Sequence, residues 1–171
     1  MKLPGPSIPQ VHLQPGELLV TQKPQWVITL LGSCLSVTMF HARFQLAAIC
    51  HAMLSRPRGI VPPGSSPAQR FRYLSEVIPA MARRFSQLGL PPNQVEVKLF
   101  GGGDVIALGG EPHHDHSIGQ ANIILAHLML SEAGFQINAQ NVGGDRGRKI
   151  VFNTASGRVL HQRLSRERTK S

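Results

Sequence analysis

Two side chains within residues 28–54 have the types and spacing for covalent chemistry. Cys34 ends the stretch "ITLLGSC", just after Gly32 and Ser33, and His51 follows 17 residues later in "AICHAML". A thiol becomes a strong nucleophile when its thiolate is stabilised by a base, a cation or converging backbone N–H groups. Gly32 permits the tight or left-handed backbone that lets the N–H groups of Ser33 and Cys34 converge on an anion. An imidazole is a suitable proton acceptor at neutral pH. A thiol, an imidazole and such a loop together suit attack on a carbonyl carbon. Taken singly, each residue has a plainer reading. A free cysteine is commonly a small inert hydrophobe, and a lone histidine is commonly a satisfied structural one.

The remaining chemical candidates are weaker. Cys50 adjoins His51, so strand alternation sends it to the opposite face and into the core. A Cys34–Cys50 disulfide is therefore disfavoured by direction, and two cysteines make no disulfide framework. "HHDH" (113–116) has metal-ligand types, but consecutive loop residues seldom converge on one centre, and no further ligand stands at suitable spacing. We expect no metal and no cofactor. "FGGGD" (100–104) has the glycines of a phosphate loop without the Lys-Ser/Thr of a P-loop or a GxGxxG.

The elements around Cys34 and His51 must bring them together. "LSVTMFHA" (35–42) reads as a strand, and "FQLAAICHAML" (44–54) as its antiparallel partner across a turn near Ala42-Arg43. The start of the first strand then lies opposite the end of the second, which puts Cys34 and His51 at the same open end. "GELLV" and "QWVITLL" are short strands before it. Apolar residues from Phe71 to Leu88 recur at helical spacing after a Ser66-Pro67 start, with Gly89 as the stop and Pro79 expected to kink or split the helix. "VEVKLFGGG" is a strand ending in a glycine turn. Residues 118–134 are a second helix, capped by Ser117 and stopped by Gly134. Strands with a hairpin around Ala155-Ser156-Gly157 close the chain. The irregular order of strands and two main helices favours an α+β architecture over a doubly wound one.

Composition bounds the rest. The 171 residues, 42% hydrophobic and 16% charged, suit one soluble domain. We divide them into an unstructured N-terminus (1–12), one domain (13–164) and a basic tail (165–171). No apolar run spans a bilayer, and "MKLPGPSIPQ" lacks the pattern of a secretory signal, so a cytoplasmic location without membrane insertion is expected. The net charge of +9 attracts polyanions. With one Trp, one Tyr and no basic run interleaved with aromatics, however, nucleic acid is not the expected partner.

Longer stretches carry a resemblance. "LQPGELLVTQKPQWVITLLGSCLSV", "AAICHAML", "VKLFGGG", "SIGQANI" and "NVGGDRGRKIVFNTASGRV" resemble, in order and spacing, the CheD family of chemoreceptor glutamine deamidases over about residues 13–163. The most specific elements are "TLLGSC", the histidine 17 residues on, and "VGGDRGRKIVF". The resemblance implies a layered sandwich of mixed β-sheets flanked by helices, like glutamine-deamidating toxin domains. It assigns the nucleophile to Cys34, the base to His51 and a third, orienting role to Thr29, with the N–H groups of Ser33 and Cys34 as oxyanion donors. It implies deamidation of glutamines on the cytoplasmic helices of methyl-accepting chemoreceptors through a thioester. Some relatives also hydrolyse receptor glutamate methyl esters, and in the family a CheC-type phosphatase binds and restrains the deamidase. The chain departs from the common pattern at Ala121, where an arginine is usual, and in the proline-rich loop "SRPRGIVPPGSS".

A non-catalytic adaptor of the chemosensory array is the competing reading, although an adaptor has no need of Cys34, His51 and Thr29 together. A basic nucleic-acid binder is the third. An activated thiol predicts that Cys34 is alkylated well below the pH at which an ordinary thiol reacts.

Overall fold

The computed structural model describes residues 8–104 and 117–165. Among the described residues nine strands form two sheets, with three α-helices beside one of them. In the first sheet, β1 (Gln10–His12), β3 (Trp26–Leu31), β8 (Arg148–Asn153) and β9 (Val159–Arg163) lie side by side in that order. In the second, the order is β2 (Leu18–Thr21), β5 (Leu46–Cys50), β4 (Leu35–His41), β6 (Glu96–Gly101) and β7 (Ile137–Val142). Both sheets are mixed: β1 runs parallel to β3 and β6 parallel to β7, while the other pairings are antiparallel. The helices are α1 (Pro67–Phe71), α2 (Leu74–Ser86) and α3 (Ile118–Glu132). The α+β expectation holds.

Alternation along the strands builds two cores, one on each face of the second sheet. Val27, Leu31, Ile150 and Phe152 of the first sheet meet Phe40, Ala47, Ile49 and Phe100 of the second. On its other face, Val37, Met39, Ala48, Cys50 and Leu99 pack against Leu74, Val77, Ile78 and Met81 of α2 and Leu125, Ala126 and Leu130 of α3. The second sheet is thus a middle layer, which is why β4 and β5 are buried at every position. Leu31, Ile49 and Phe152 are essentially fully buried between the sheets. Burying each such side chain contributes about 1.5–3 kcal/mol, and their packing fixes the gap across which Thr29 and His51 face each other.

Two expectations are corrected. Residues 10–12 do not belong to an unstructured N-terminus but pair in register with Trp26–Ile28; three residues are too few to show alternation. The long helix does split, but at Arg72-Tyr73 rather than at Pro79. The N–H groups of Met53 and Leu54 both donate to the Arg72 carbonyl, and Leu74 N–H donates to the Leu54 carbonyl. This bridge pulls Tyr73 into an extended conformation (φ −107°, ψ 131°). Pro79 lies inside α2, where its missing N–H removes one helical bond while Val77, Ile78 and Met81 remain packed on the sheet.

The capping expectations hold. Ser66 accepts from Gln69 N–H in a reciprocal capping box, and Ser117 accepts from Gln120 N–H at the start of α3. Gly89 and Gly134 both have positive φ just past their helices.

Candidate active site

The β4–β5 hairpin forms as its sequence suggests. Thr38 pairs with Ile49, and Leu35 pairs with Ala52 through two backbone bonds of 2.9 Å. This register sets His51 opposite Ser36, and Cys34 one step past Leu35 at the same end. Cys34 and His51 are therefore diagonal neighbours on one face of the sheet, about 7–8 Å apart at the backbone in such a pairing, with no hydrogen bond joining the thiol to Nε2. That face is the one turned to the first sheet, since Ala47 and Ile49 share it with His51. Cys50 points the other way into the helix-side core, fully buried, as alternation predicts.

Thr29 comes from the first sheet. On β3 it lies between Val27 and Leu31, both inward-facing, so it too points into the gap. Its hydroxyl sits 2.7 Å from His51 Nδ1 and donates to the Leu13 carbonyl at 2.9 Å. These two contacts fix the tautomer. A carbonyl only accepts, so the single hydroxyl proton goes to Leu13, and Nδ1 must carry its own proton and donate to Thr29. Nε2 is then the unprotonated nitrogen. It is buried and has no protein partner among the described residues. The backbone of His51 is held as well, by Glu17 O at 3.0 Å and Gly16 N–H at 2.8 Å.

The loop before Cys34 is held by its carbonyls. Gly32 O accepts from Gly103 N–H (2.8 Å), Ser33 O from Asn122 Nδ2 (3.0 Å) and Cys34 O from Gly102 N–H (2.7 Å). No carbonyl among the described residues takes the N–H of Ser33 or of Cys34. The glycine run is needed for this approach: Gly101 has φ +110°, and a Cβ there would lie 2.2 Å from the Cys34 carbonyl oxygen. "FGGGD" thus clamps the cysteine loop. Asn122 and this clamp were not identified as site features in the sequence, although an unexplained Gly-Gly-Gly after a strand was the signal available.

Burial sets the protonation states. It holds His51 below the usual imidazole range, with the nearby Leu13 carbonyl and then the charge of Glu17 acting the other way. It pushes the half-buried Cys34 thiol up, with the residue's own backbone N–H lowering it less. Both groups are accordingly neutral at pH 7. Among the described residues desolvation outweighs the backbone N–H at Cys34, which argues against alkylation at unusually low pH.

A cleft of about 310 Å³ opens beside the pair, walled by His12, Gln14, Thr29, Leu30, His51 and Lys149 among others. It reaches Thr29 and His51 from the β3 side; Cys34 is not part of its wall. Among the described residues no three His, Cys, Asp or Glu side chains cluster as a metal site, and no helix is long and apolar enough to cross a membrane. The "HHDH" loop lies outside the described residues.

Fold and site together define a mixed α+β protein of two packed sheets with a thiol, an imidazole and a hydroxyl gathered at one end. The chain belongs to the CheD family. Residues 53–163 match the family model described as CheD chemotactic sensory transduction. The protein is 41% identical over 167 residues to the "Probable chemoreceptor glutamine deamidase CheD 2" of Geobacter sulfurreducens, covering 97% of each chain. It is 41% identical over 156 residues to a relative from Oleidesulfovibrio alaskensis, covering 90% of this chain and 72% of that one. It is 34% identical over 161 residues to one from Maridesulfovibrio salexigens, covering 94% and 95%. Both carry the name "Probable chemoreceptor glutamine deamidase CheD".

Proposed function

We propose that this protein hydrolyses glutamine side chains of methyl-accepting chemoreceptors to glutamate, with Cys34 as nucleophile, His51 as general base and acid, and Thr29 as the residue that orients His51. The observation that carries this reading is the chain Leu13 O, Thr29 Oγ1, His51 Nδ1, which leaves Nε2 unprotonated and unpartnered in a buried site.

Because thiol and imidazole are both neutral at rest, proton transfer accompanies attack. Nε2 takes the Cys34 proton as the sulfur bonds to the amide carbon, and the carbonyl oxygen gains the negative charge. The N–H groups of Ser33 and Cys34, free of other carbonyls, are the donors for that oxyanion, where such groups contribute most. Collapse breaks the C–N bond, and His51 returns the proton to the leaving nitrogen, which departs as ammonia. Water then attacks the thioester with His51 taking its proton. The C–S bond breaks, the thiol is restored, and glutamate remains.

The same thioester serves a glutamate methyl ester with methanol as the leaving group, so receptor methylesterase activity belongs to this proposal. So do a cytoplasmic site of action on the receptor helices and restraint by a CheC-type phosphatase. The likeness to glutamine-deamidating toxins rests on the catalytic set and the layered α+β fold.

The test is mass-spectrometric deamidation of a receptor cytoplasmic fragment from the same organism by wild type and Cys34→Ala, both checked by circular dichroism. Conversion by wild type alone is expected. No conversion by either, with normal receptor binding, would move the protein to the adaptor class.

A further inference from the structure

The amide of Asn122 on α3 is completely buried and spends both its N–H bonds on two backbone carbonyls, those of Ser33 at 3.0 Å and Met53 at 3.1 Å. Its Oδ1 accepts nothing from the described residues. The amide orientation is fixed by this pattern, because a flipped amide would set Oδ1 against two carbonyl oxygens. The two carbonyls are not arbitrary ones. Ser33 precedes Cys34, and Met53 stands two residues past His51, so one side chain ties together the two strand ends that carry the reacting groups.

The bond to Ser33 has a geometric consequence. In a trans peptide the C=O and the following N–H point in opposite directions, and there is no cis bond among the described residues. Fixing Ser33 C=O toward α3 therefore turns the Cys34 N–H away from α3. The same logic applies one residue earlier, where Gly103 N–H holds Gly32 C=O and so directs the Ser33 N–H. The helix backbone is pressed against this loop system: a Cβ on Gly119 would lie 2.4 Å from Gly102 O. Asn122 is therefore delivered to the loop by a closely seated helix.

We infer that Asn122 is a positioning residue for the acyl-transfer step, holding the Ser33–Cys34 peptide so that the Cys34 N–H faces the oxyanion. The inference rests on the deamidase reading for its substrate, but not for its geometry. It separates two functions of the loop, since presenting a thiol needs no oriented N–H whereas stabilising a tetrahedral oxyanion does.

The experiment compares wild type, Asn122→Ala and Asn122→Ser, each confirmed as folded by circular dichroism. Three quantities are read: kcat and KM on the receptor fragment, the rate and pH midpoint of Cys34 alkylation by iodoacetamide, and capture of 13C-propanal as a thiohemiacetal by NMR. Iodoacetamide reacts by displacement at saturated carbon and forms no oxyanion. The aldehyde takes up the thiolate sulfur at carbon and the proton at oxygen, giving a tetrahedral adduct without turnover. For Asn122→Ala we expect kcat to fall about 100- to 1000-fold, the loss seen when one oxyanion donor is removed. KM and the alkylation profile should stay unchanged, and aldehyde capture should weaken. Asn122→Ser keeps one donor and should fall between, which also serves if the alanine variant does not fold.

Unchanged kcat overturns the inference, as does an alkylation rate that falls in step with kcat, for then Asn122 merely holds the site together. If wild type captures the aldehyde in an Asn122-dependent way yet leaves the receptor intact, the deamidase reading fails and the positioning role stands. If capture is independent of Asn122, the positioning role fails whatever the substrate.

Discussion

The hydroxyl of Thr29 and Nδ1 of His51 meet at 2.7 Å across the gap between two sheets. Neither side chain could settle the proton arrangement alone. Leu13 does so by accepting the hydroxyl proton, which leaves the histidine with one available lone pair, at Nε2.

Replacing Thr29 by Val keeps the shape and removes that hydroxyl. The imidazole loses the hydroxyl that holds Nδ1 and the Leu13 carbonyl loses its hydroxyl donor, at a cost of about 1–3 kcal/mol for a buried group. Turnover should fall by about 100-fold or more, the lower end of what a positioned general base contributes. Thr29→Ser should restore most of it. Steady-state kinetics with denaturant melts of both variants checks this, and a Val variant with wild-type kcat would remove Thr29 from the mechanism.

The acidic limb of kcat/KM should lie below the ordinary histidine value of 6.5, since burial lowers His51. Unfolded chain binds a proton at this position more readily than folded protein, so stability contributed by neutral His51 is present above that value and declines as pH falls through the folded one. Cys34 alkylation should conversely rise only at pH above an ordinary thiol's. A pH–rate series with iodoacetamide checks the second statement, and rapid labelling at pH 6 would contradict it.

Gly101→Ala should damage both fold and function. A Cβ would meet the Cys34 carbonyl oxygen at 2.2 Å, and the backbone holds φ +110°. Non-glycine residues in such regions cost about 1–3 kcal/mol, and the steric conflict displaces the cysteine loop. The measurement is thermal unfolding together with kcat, with Gly59→Ala, where a Cβ meets nothing within 4 Å, as the neutral control.

Alkali should weaken the protein through Cys50. Full burial pushes this thiol from 9.0 up to about 12. The folded state therefore keeps its proton where the unfolded chain releases it, and stability is lost as pH rises above 9. Each unit up to the folded value costs about 1.4 kcal/mol. Urea titrations at several alkaline pH values should show a shallower decline for Cys50→Ala than for wild type.

The sequence revealed this site unevenly. Cys34 and His51 were legible as a pair because both sit on one hairpin, where alternation and a short turn fix register locally. The fates of Cys50 and Thr29 followed the same alternation, Thr29 with the help of the family resemblance. The hidden parts depend on contacts distant in the chain. The Tyr73 break comes from the backbone of Met53 and Leu54, whereas Pro79 carries the stronger local signal and does not break the helix. Asn122 reads as an ordinary polar residue in an apolar helix until the helix is seated against the Ser33 loop. Gln10–His12 becomes a strand only because Trp26–Ile28 offers it an edge.

The pairing of β3 with β8 joins residues 26–31 to residues 148–153, and this has a bearing on synthesis. During translation the thiol and imidazole can meet as soon as residues 34–51 have left the ribosome. The strand carrying Thr29 gains its longest partner only after nearly the whole domain has emerged. On the proposed mechanism, a nascent or truncated chain therefore carries Cys34 and His51 before β8 is there to seat Thr29 beside them, and the proposed catalytic set is complete only with the domain.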